Sequence, residues 1–129
     1  MSAFKNLGIA DELLKGIEAL GFETPTPVQE LVIPTALSSD DDIIALAQTG
    51  TGKTAAFTLP LLQRMMPHAS HSMSPARHPV RALVLAPTRE LADQVAQNVK
   101  DYAKHTPLRS AVVFGGMDMK PQVAELRQG

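Results

Sequence analysis

The stretch Ala47-Gln48-Thr49-Gly50-Thr51-Gly52-Lys53-Thr54 brings two glycines, a lysine and a following hydroxyl into one short segment. Glycine lets the backbone take a tight path that aligns successive N–H groups on an anion, and a helix beginning there adds the positive end of its dipole. Lys53 is placed to reach the β and γ phosphates of a nucleotide, and Thr54 to give its hydroxyl oxygen to Mg²⁺. The order is that of the GxxxxGK[ST] phosphate-binding pattern, with Ala47 standing where the pattern has glycine. A chance glycine turn ahead of a helix is the competing reading. The loop does not choose among kinases, GTPases, motor ATPases and helicases.

The elements that must hold this loop are legible on both sides of it. Asp42–Ala47 is a short apolar run of the kind that forms a buried parallel strand, and Thr54–Met66 has helical period with Pro60 inside it, where a bend is expected. Upstream, Ile9, Leu13, Leu14, Ile17 and Leu20 mark an amphipathic helix that Gly21 stops. Thr26 as N-cap and Pro27 at the first position open a second helix, which Pro34 should limit or kink. Downstream, a Pro-, Ser- and His-rich loop covers residues 66–79. A strand over 80–86, a long helix over 87–106, a strand over 109–116 and a further helix from Asp118 follow it. Alternation of strand and helix predicts an α/β class with a parallel sheet and flanking helices. No internal repeat is visible.

A chain of 129 residues holds one domain or part of one, and 44% hydrophobic with 19% charged residues is ordinary for a globular chain. The absence of cysteine excludes disulfides and thiolate metal sites, and with no secretory signal or long apolar span it points to a cytoplasmic setting. The net charge of −1 conceals a division: residues 1–60 sum to −5 and residues 61–129 to +4. A mildly positive second half suits phosphates, and solvated surface charge gives the same count.

Further motifs surround the loop. Phe4, the run GFETPTPVQ from Gly21 to Gln29, the run PTRELA from Pro87 to Ala92, and the doublet Gly115-Gly116 stand in that order along the chain. Together with the phosphate loop they resemble the Q motif, first ATPase motif, motif Ia and glycine doublet of the bacterial-type DEAD-box ATP-dependent RNA helicases. The resemblance implies a P-loop NTPase, RecA-like fold, an RNA-dependent ATPase and helicase activity (a hydrolase acting on ATP), and ATP with Mg²⁺ as cofactors. It also implies a division into a Q-motif helical region over 1–36 and the N-terminal part of the ATP-binding RecA-like domain over 37–129.

By that resemblance Phe22 packs on the adenine, Gln29 hydrogen-bonds its polar edge and Phe4 supports the stack. Ala47, Gln48, Thr49, Gly50, Thr51, Gly52, Lys53 and Thr54 surround the phosphates, with Lys53 and Thr54 as the catalytic pair and Thr54 meeting Mg²⁺ through ATP. A glutamine amide offers donor and acceptor groups that match adenine N6 and N7. Each reading has a rival. Thr26 to Gln29 is also a capping box, and Phe4 and Phe22 could be core aromatics. Thr24 stands where many relatives carry a basic residue, which touches a peripheral contact only.

The resemblance gives Pro87, Thr88, Arg89, Gly115 and Gly116 contacts to the RNA backbone, through helix N–H groups, a guanidinium and close backbone approach. Thr88 is equally a helix cap, Arg89 and Glu90 a solvated charge pair, and the doublet a plain turn. His68, His71 and His78 read as exposed loop histidines rather than a zinc site. Asp11–Leu14, DELL, reads as helix surface charge with core leucines and not as the family's acidic motif.

In the family, that acidic motif, the motif coupling hydrolysis to unwinding and a second RecA-like domain with its arginine fingers come later than the segment matched here. The 129 residues alone are therefore expected to bind ATP and RNA without hydrolysis or unwinding, as an N-terminal fragment that leaves sheet edges and apolar surface open. A stand-alone ATP- and RNA-binding module without turnover is the alternative. An unrelated phosphate-loop enzyme would leave Phe22, Gln29 and PTRELA idle.

Overall fold

The computed structural model describes residues 2–129. Its helices are α1 (Asp11–Ala19), α2 (Pro27–Ser38), α3 (Lys53–Met65), α4 (Arg89–Tyr102) and α5 (Met119–Arg127), with 3₁₀ turns at Ala3–Leu7, Met66–His68 and Pro75–Arg77. No helix is long and apolar enough to cross a membrane among the described residues.

Helices α1 to α4 and the first turn share one core. Phe4, Leu13, Ile17, Ile33, Leu59 and Tyr102 are among its fully or nearly fully buried large side chains, the aliphatic ones and Phe4 each contributing about 1.5–3 kcal/mol through burial. The periodicity of α1 works as expected: Leu13, Leu14 and Ile17 turn inward, while Asp11 and Glu12 stay exposed. Gly21 then takes φ 85°, the left-handed region that suits glycine. Its N–H donates to Glu18 O (3.0 Å) and the Phe22 N–H to Ile17 O (3.1 Å). This Schellman-type ending returns Phe22 to the core. Gln63 on α3 splints the connector before α1, accepting from Ala10 N–H (2.8 Å) and donating to Gly8 O (2.7 Å).

Helix α2 runs through Pro34 as far as Ser38, past the point where the proline should limit it. The carbonyl that Pro34 cannot serve belongs to exposed Glu30, where water can reach it. Packing on α3 with Ile33 buried holds the helix past that point. Arg64 of α3 completes the end, donating to Ala36 O (2.9 Å) and Ser39 O (3.0 Å) and pairing with the Asp40 carboxylate. Helix α3 is likewise continuous through Pro60.

The expected parallel sheet is absent: none of the described residues is in a strand. The runs at 42–47, 80–86 and 109–116 are irregular, and Ile44, Leu46 and Leu85 are 92%, 93% and 84% exposed. Helix bonds close within the segment, so α1 to α5 form locally. A parallel ladder needs a partner strand brought alongside by a crossover and helices on both faces. Here α1 to α4 pack on one another and α5 buries nothing, leaving the apolar runs uncovered.

Gly16 is where α1 meets the end of α4, since a Cβ there would lie 2.5 Å from Tyr102 O and 3.0 Å from Asp101 O. Replacing a mid-helix glycine by alanine ordinarily stabilises by about 0.5–1 kcal/mol. Gly16→Ala should instead lower Tm, because backbone cannot step aside cheaply and overpacking costs about 1–3 kcal/mol. Circular dichroism melting checks this; an unchanged or higher Tm would mean that the helices do not approach so closely.

Candidate nucleotide and polynucleotide site

The phosphate loop folds as its glycines require. Gly50 and Gly52 have φ 83° and 86°, Thr51 Oγ1 donates to Gln48 O (2.6 Å), and α3 starts at Lys53 with Gly52 as its N-cap. None of the backbone N–H groups from Gly50 to Ala55 has a hydrogen-bond partner among the described residues. That row of amides at the positive end of a 13-residue helix is a cradle for an anion. Lys53 is exposed and makes no ion pair among the described residues. Ala47 is half-buried, with Gln48 and Thr49 exposed after it.

The cradle is fastened to α2 by one side chain. Gln29, only 3% exposed, accepts from Thr26 N–H through Oε1 (2.9 Å) and donates through Nε2 to Gly52 O (3.2 Å). Gly52 O also accepts from Ala56 N–H (3.1 Å), so both of its lone pairs are used. A Cβ on Gly52 would stand 2.3 Å from Gln29 Nε2 and 3.1 Å from Thr26 Oγ1, whereas one on Gly50 meets nothing within 4 Å. Gly52 is therefore needed twice, for its dihedral and for this approach. The capping box is half made: Gln29 serves the Thr26 N–H, while Thr26 Oγ1 is buried without a partner among the described residues. An amide has two N–H groups and two oxygen lone pairs. One of each remains on Gln29, which lines the cleft beside the loop.

That cleft, of about 960 Å³, joins Phe22, Gln29, Gly50, Lys53, Thr54 and Tyr102. Phe22 is held between Phe4 (centroids 5.9 Å apart, tilted) and Tyr102 (5.8 Å, edge to face). Phe4 is buried behind Phe22, off the cleft lining. Tyr102 is a participant that sequence reasoning missed, since nothing in its spacing ties the last turn of α4 to a residue 80 positions earlier. Burial, and then the charge of Asp101, push its hydroxyl above the ordinary tyrosine pKa.

A second region lies at the opposite end of α4. Thr88 Oγ1 caps the helix by accepting from Leu91 N–H (3.2 Å), so the capping reading holds for its side chain. Arg89 makes no ion pair with Glu90, and the two line a groove of about 230 Å³ with Asp93, Phe114 and Met117. Phe114 and Met117, which flank the Gly115-Gly116 doublet, thus line the same groove as Arg89 and the acidic Glu90 and Asp93. Pro87 lines the large cleft instead. His68 and His71 are exposed, His78 Nε2 lies 2.7 Å from Ser72 O, and no group of three or more metal-ligating side chains occurs among the described residues.

The family profile for DEAD/DEAH box helicases matches residues 26–129. The chain belongs to the DEAD/DEAH box helicase family. It is 50% identical to the ATP-dependent rRNA helicase rrp-3 of Neurospora crassa over 95% of this chain and 22% of that protein. It is 44% identical to the DEAD-box ATP-dependent RNA helicase CshA of Bacillus cereus over 99% of this chain and 23% of CshA. The solved RNA helicase Prp28 from Chaetomium thermophilum bound to ADP superposes with TM-score 0.77 at 38% identity, covering 95% of this chain and 29% of that one. Dbp5 of S. cerevisiae bound to RNA and ADP BeF3 gives 0.70 at 41%, covering 83% and 26%. The chain thus spans about a quarter of the length of these relatives. Its helices and irregular runs follow the path of their RecA-like domain without the ladder.

Gly50 and Gly52 allow a controlled comparison. Gly50→Ala should cost about 1–2 kcal/mol, the strain of a Cβ in the left-handed region. Gly52→Ala should cost that and a further ~1–3 kcal/mol for displacing Gln29. Denaturant unfolding of the two variants checks this; equal losses would remove Gln29 from the loop.

Proposed function

We propose that these residues are the ATP-binding and RNA-backbone-engaging part of an ATP-dependent RNA helicase. The observation that carries this is the unpaired amide row from Gly50 to Ala55, with Lys53 inside it and Gln29 and Phe22 on the same cleft. Amides and Lys53 hold the phosphates, and the Thr54 hydroxyl meets Mg²⁺ when the nucleotide brings it. Mg²⁺ supplies neutralisation of phosphate charge.

Gln29 caps α2 and reads the base together. Its spare N–H and lone pair match adenine N7 and N6; guanine keeps the N7 acceptor but sets its O6 acceptor against the same lone pair. Phe22 supports the base plane with Phe4 behind it. At the other end of α4, Arg89, the amides at the helix start and the Gly115-Gly116 backbone hold RNA phosphates without reading sequence. Solved Dbp5 with RNA and ADP BeF3 supports this pairing of ligands. Residues 1–36 serve the base and 37–129 the phosphates and RNA. Asp11 and Glu12 are exposed on α1 and absent from the lining of the cleft, which supports reading them as helix surface charge, and no turnover is assigned to these residues. This stretch alone then acts as a binding module.

Calorimetry with Mg²⁺ and ATP tests the reading. Lys53→Ala should weaken ATP at least tenfold, about 1.4 kcal/mol. Gln29→Ala should weaken ATP more than tripolyphosphate, which has no base. Undiminished ATP binding by Lys53→Ala would remove the phosphate site. RNA-stimulated phosphate release by the purified 129-residue chain would overturn its assignment as a binding module.

A further inference from the structure

The Phe114–Asp118 turn is organised by a residue that none of the motifs includes. Gln122, in the first turns of α5, accepts from Phe114 N–H through Oε1 (2.7 Å) and donates through Nε2 to Phe114 O (3.2 Å) and Asp118 O (3.1 Å). One amide thereby imitates a ladder partner for Phe114 and ties the two ends of the turn together. Between those ends, the N–H groups of Gly115 and Gly116 have no partner among the described residues. Gly116 has φ 72°, and a Cβ on either glycine would meet nothing within 4 Å. The turn is thus fixed at its base and open at its tip.

A purely structural task explains this poorly. Helix α5 buries no residue, so Gln122 secures no core. The start of the helix already has its own cap, Asp118 Oδ1 accepting from Lys120 N–H (3.0 Å). What Gln122 does hold is the base of the glycine turn, whose flanking Phe114 and Met117 line one groove with Arg89, Glu90 and Asp93.

We infer that Gln122 is a positioning residue for single-stranded RNA: it sets the turn so that the Gly115 and Gly116 amides and Arg89 meet phosphates of one strand. The inference rests on the RNA reading above. It predicts that loss of the Gln122 amide weakens RNA and leaves ATP untouched, because the phosphate loop shares no hydrogen bond with this turn.

The experiment uses the ¹⁵N-labelled chain, a twelve-nucleotide oligo(U), and the variants Gln122→Met, which keeps length without hydrogen bonds, and Gln122→Glu, which keeps only the acceptor. In the unaltered chain, oligo(U) should shift the Gly115 and Gly116 amide signals. Both variants should bind oligo(U) about fivefold more weakly or worse, as expected for about one net hydrogen bond to RNA, with ATP affinity unchanged. If the unaltered chain binds oligo(U) and both variants match it, the inference is overturned while the RNA reading stands. RNA and ATP affinity falling together would reveal a structural role and overturn it too. If oligo(U) leaves the glycine signals of the unaltered chain unmoved, the RNA reading falls and takes the inference with it.

Discussion

The contact between the Gln29 amide and the Gly52 carbonyl decides how the phosphate loop stands in this molecule. Gly52 is at once the N-cap of α3, the end of the loop and the surface against which α2 begins. Any side chain there would strike the glutamine. The contact uses up the carbonyl that could compete for nearby donors and leaves the amides free, so the loop is open to an anion without being slack. It also places the group suited to a base and the groups suited to phosphates on elements joined by one hydrogen bond, 23 residues apart in the chain.

The same device recurs where backbone polar groups lack a partner from regular structure. Gln63 serves both sides of the Gly8–Ala10 connector, and Gln122 serves Phe114 in both directions. A glutamine amide carries the donor and acceptor of a peptide unit on a side chain, so it can pair with backbone where no strand does. In a chain without a ladder, these amides and the Arg64 guanidinium fix the connections that a sheet would otherwise fix. The aromatic column Phe4–Phe22–Tyr102 adds a rigid apolar link from the first turn to the end of α4. Helix α4 then spans from that column to Arg89, roughly 20 Å at the usual rise.

The local features were legible in the sequence. Thr26 with Pro27, Thr88 and Asp118 each opened a helix where expected, and Gly21 closed one, because caps depend on a few neighbouring residues. The turn at Gly50 and Gly52 was legible for the same reason. The sheet was not, since apolar runs such as 80–86 state a preference for burial and not what will bury them. Pro34 misled because packing on α3 and solvation of one carbonyl outweighed its helix-ending tendency. Cap and ligand are rival readings of Gln29 in the sequence, yet its amide has a lone pair and a proton left over after the cap and Gly52 are served. Tyr102 and Gln122 carry no spacing signal; their partners are found only once the chain is folded.

The side-chain amide of Gln29 offers the most direct test. In ¹⁵N spectra of the unaltered chain, one of its two protons should already exchange slowly without nucleotide, held by Gly52 O. The other should shift with ATP and stay put with tripolyphosphate. Release of the slow proton on adding ATP, or indifference of both protons to ATP that demonstrably binds, would contradict a single glutamine that splints the loop and reads the base at once.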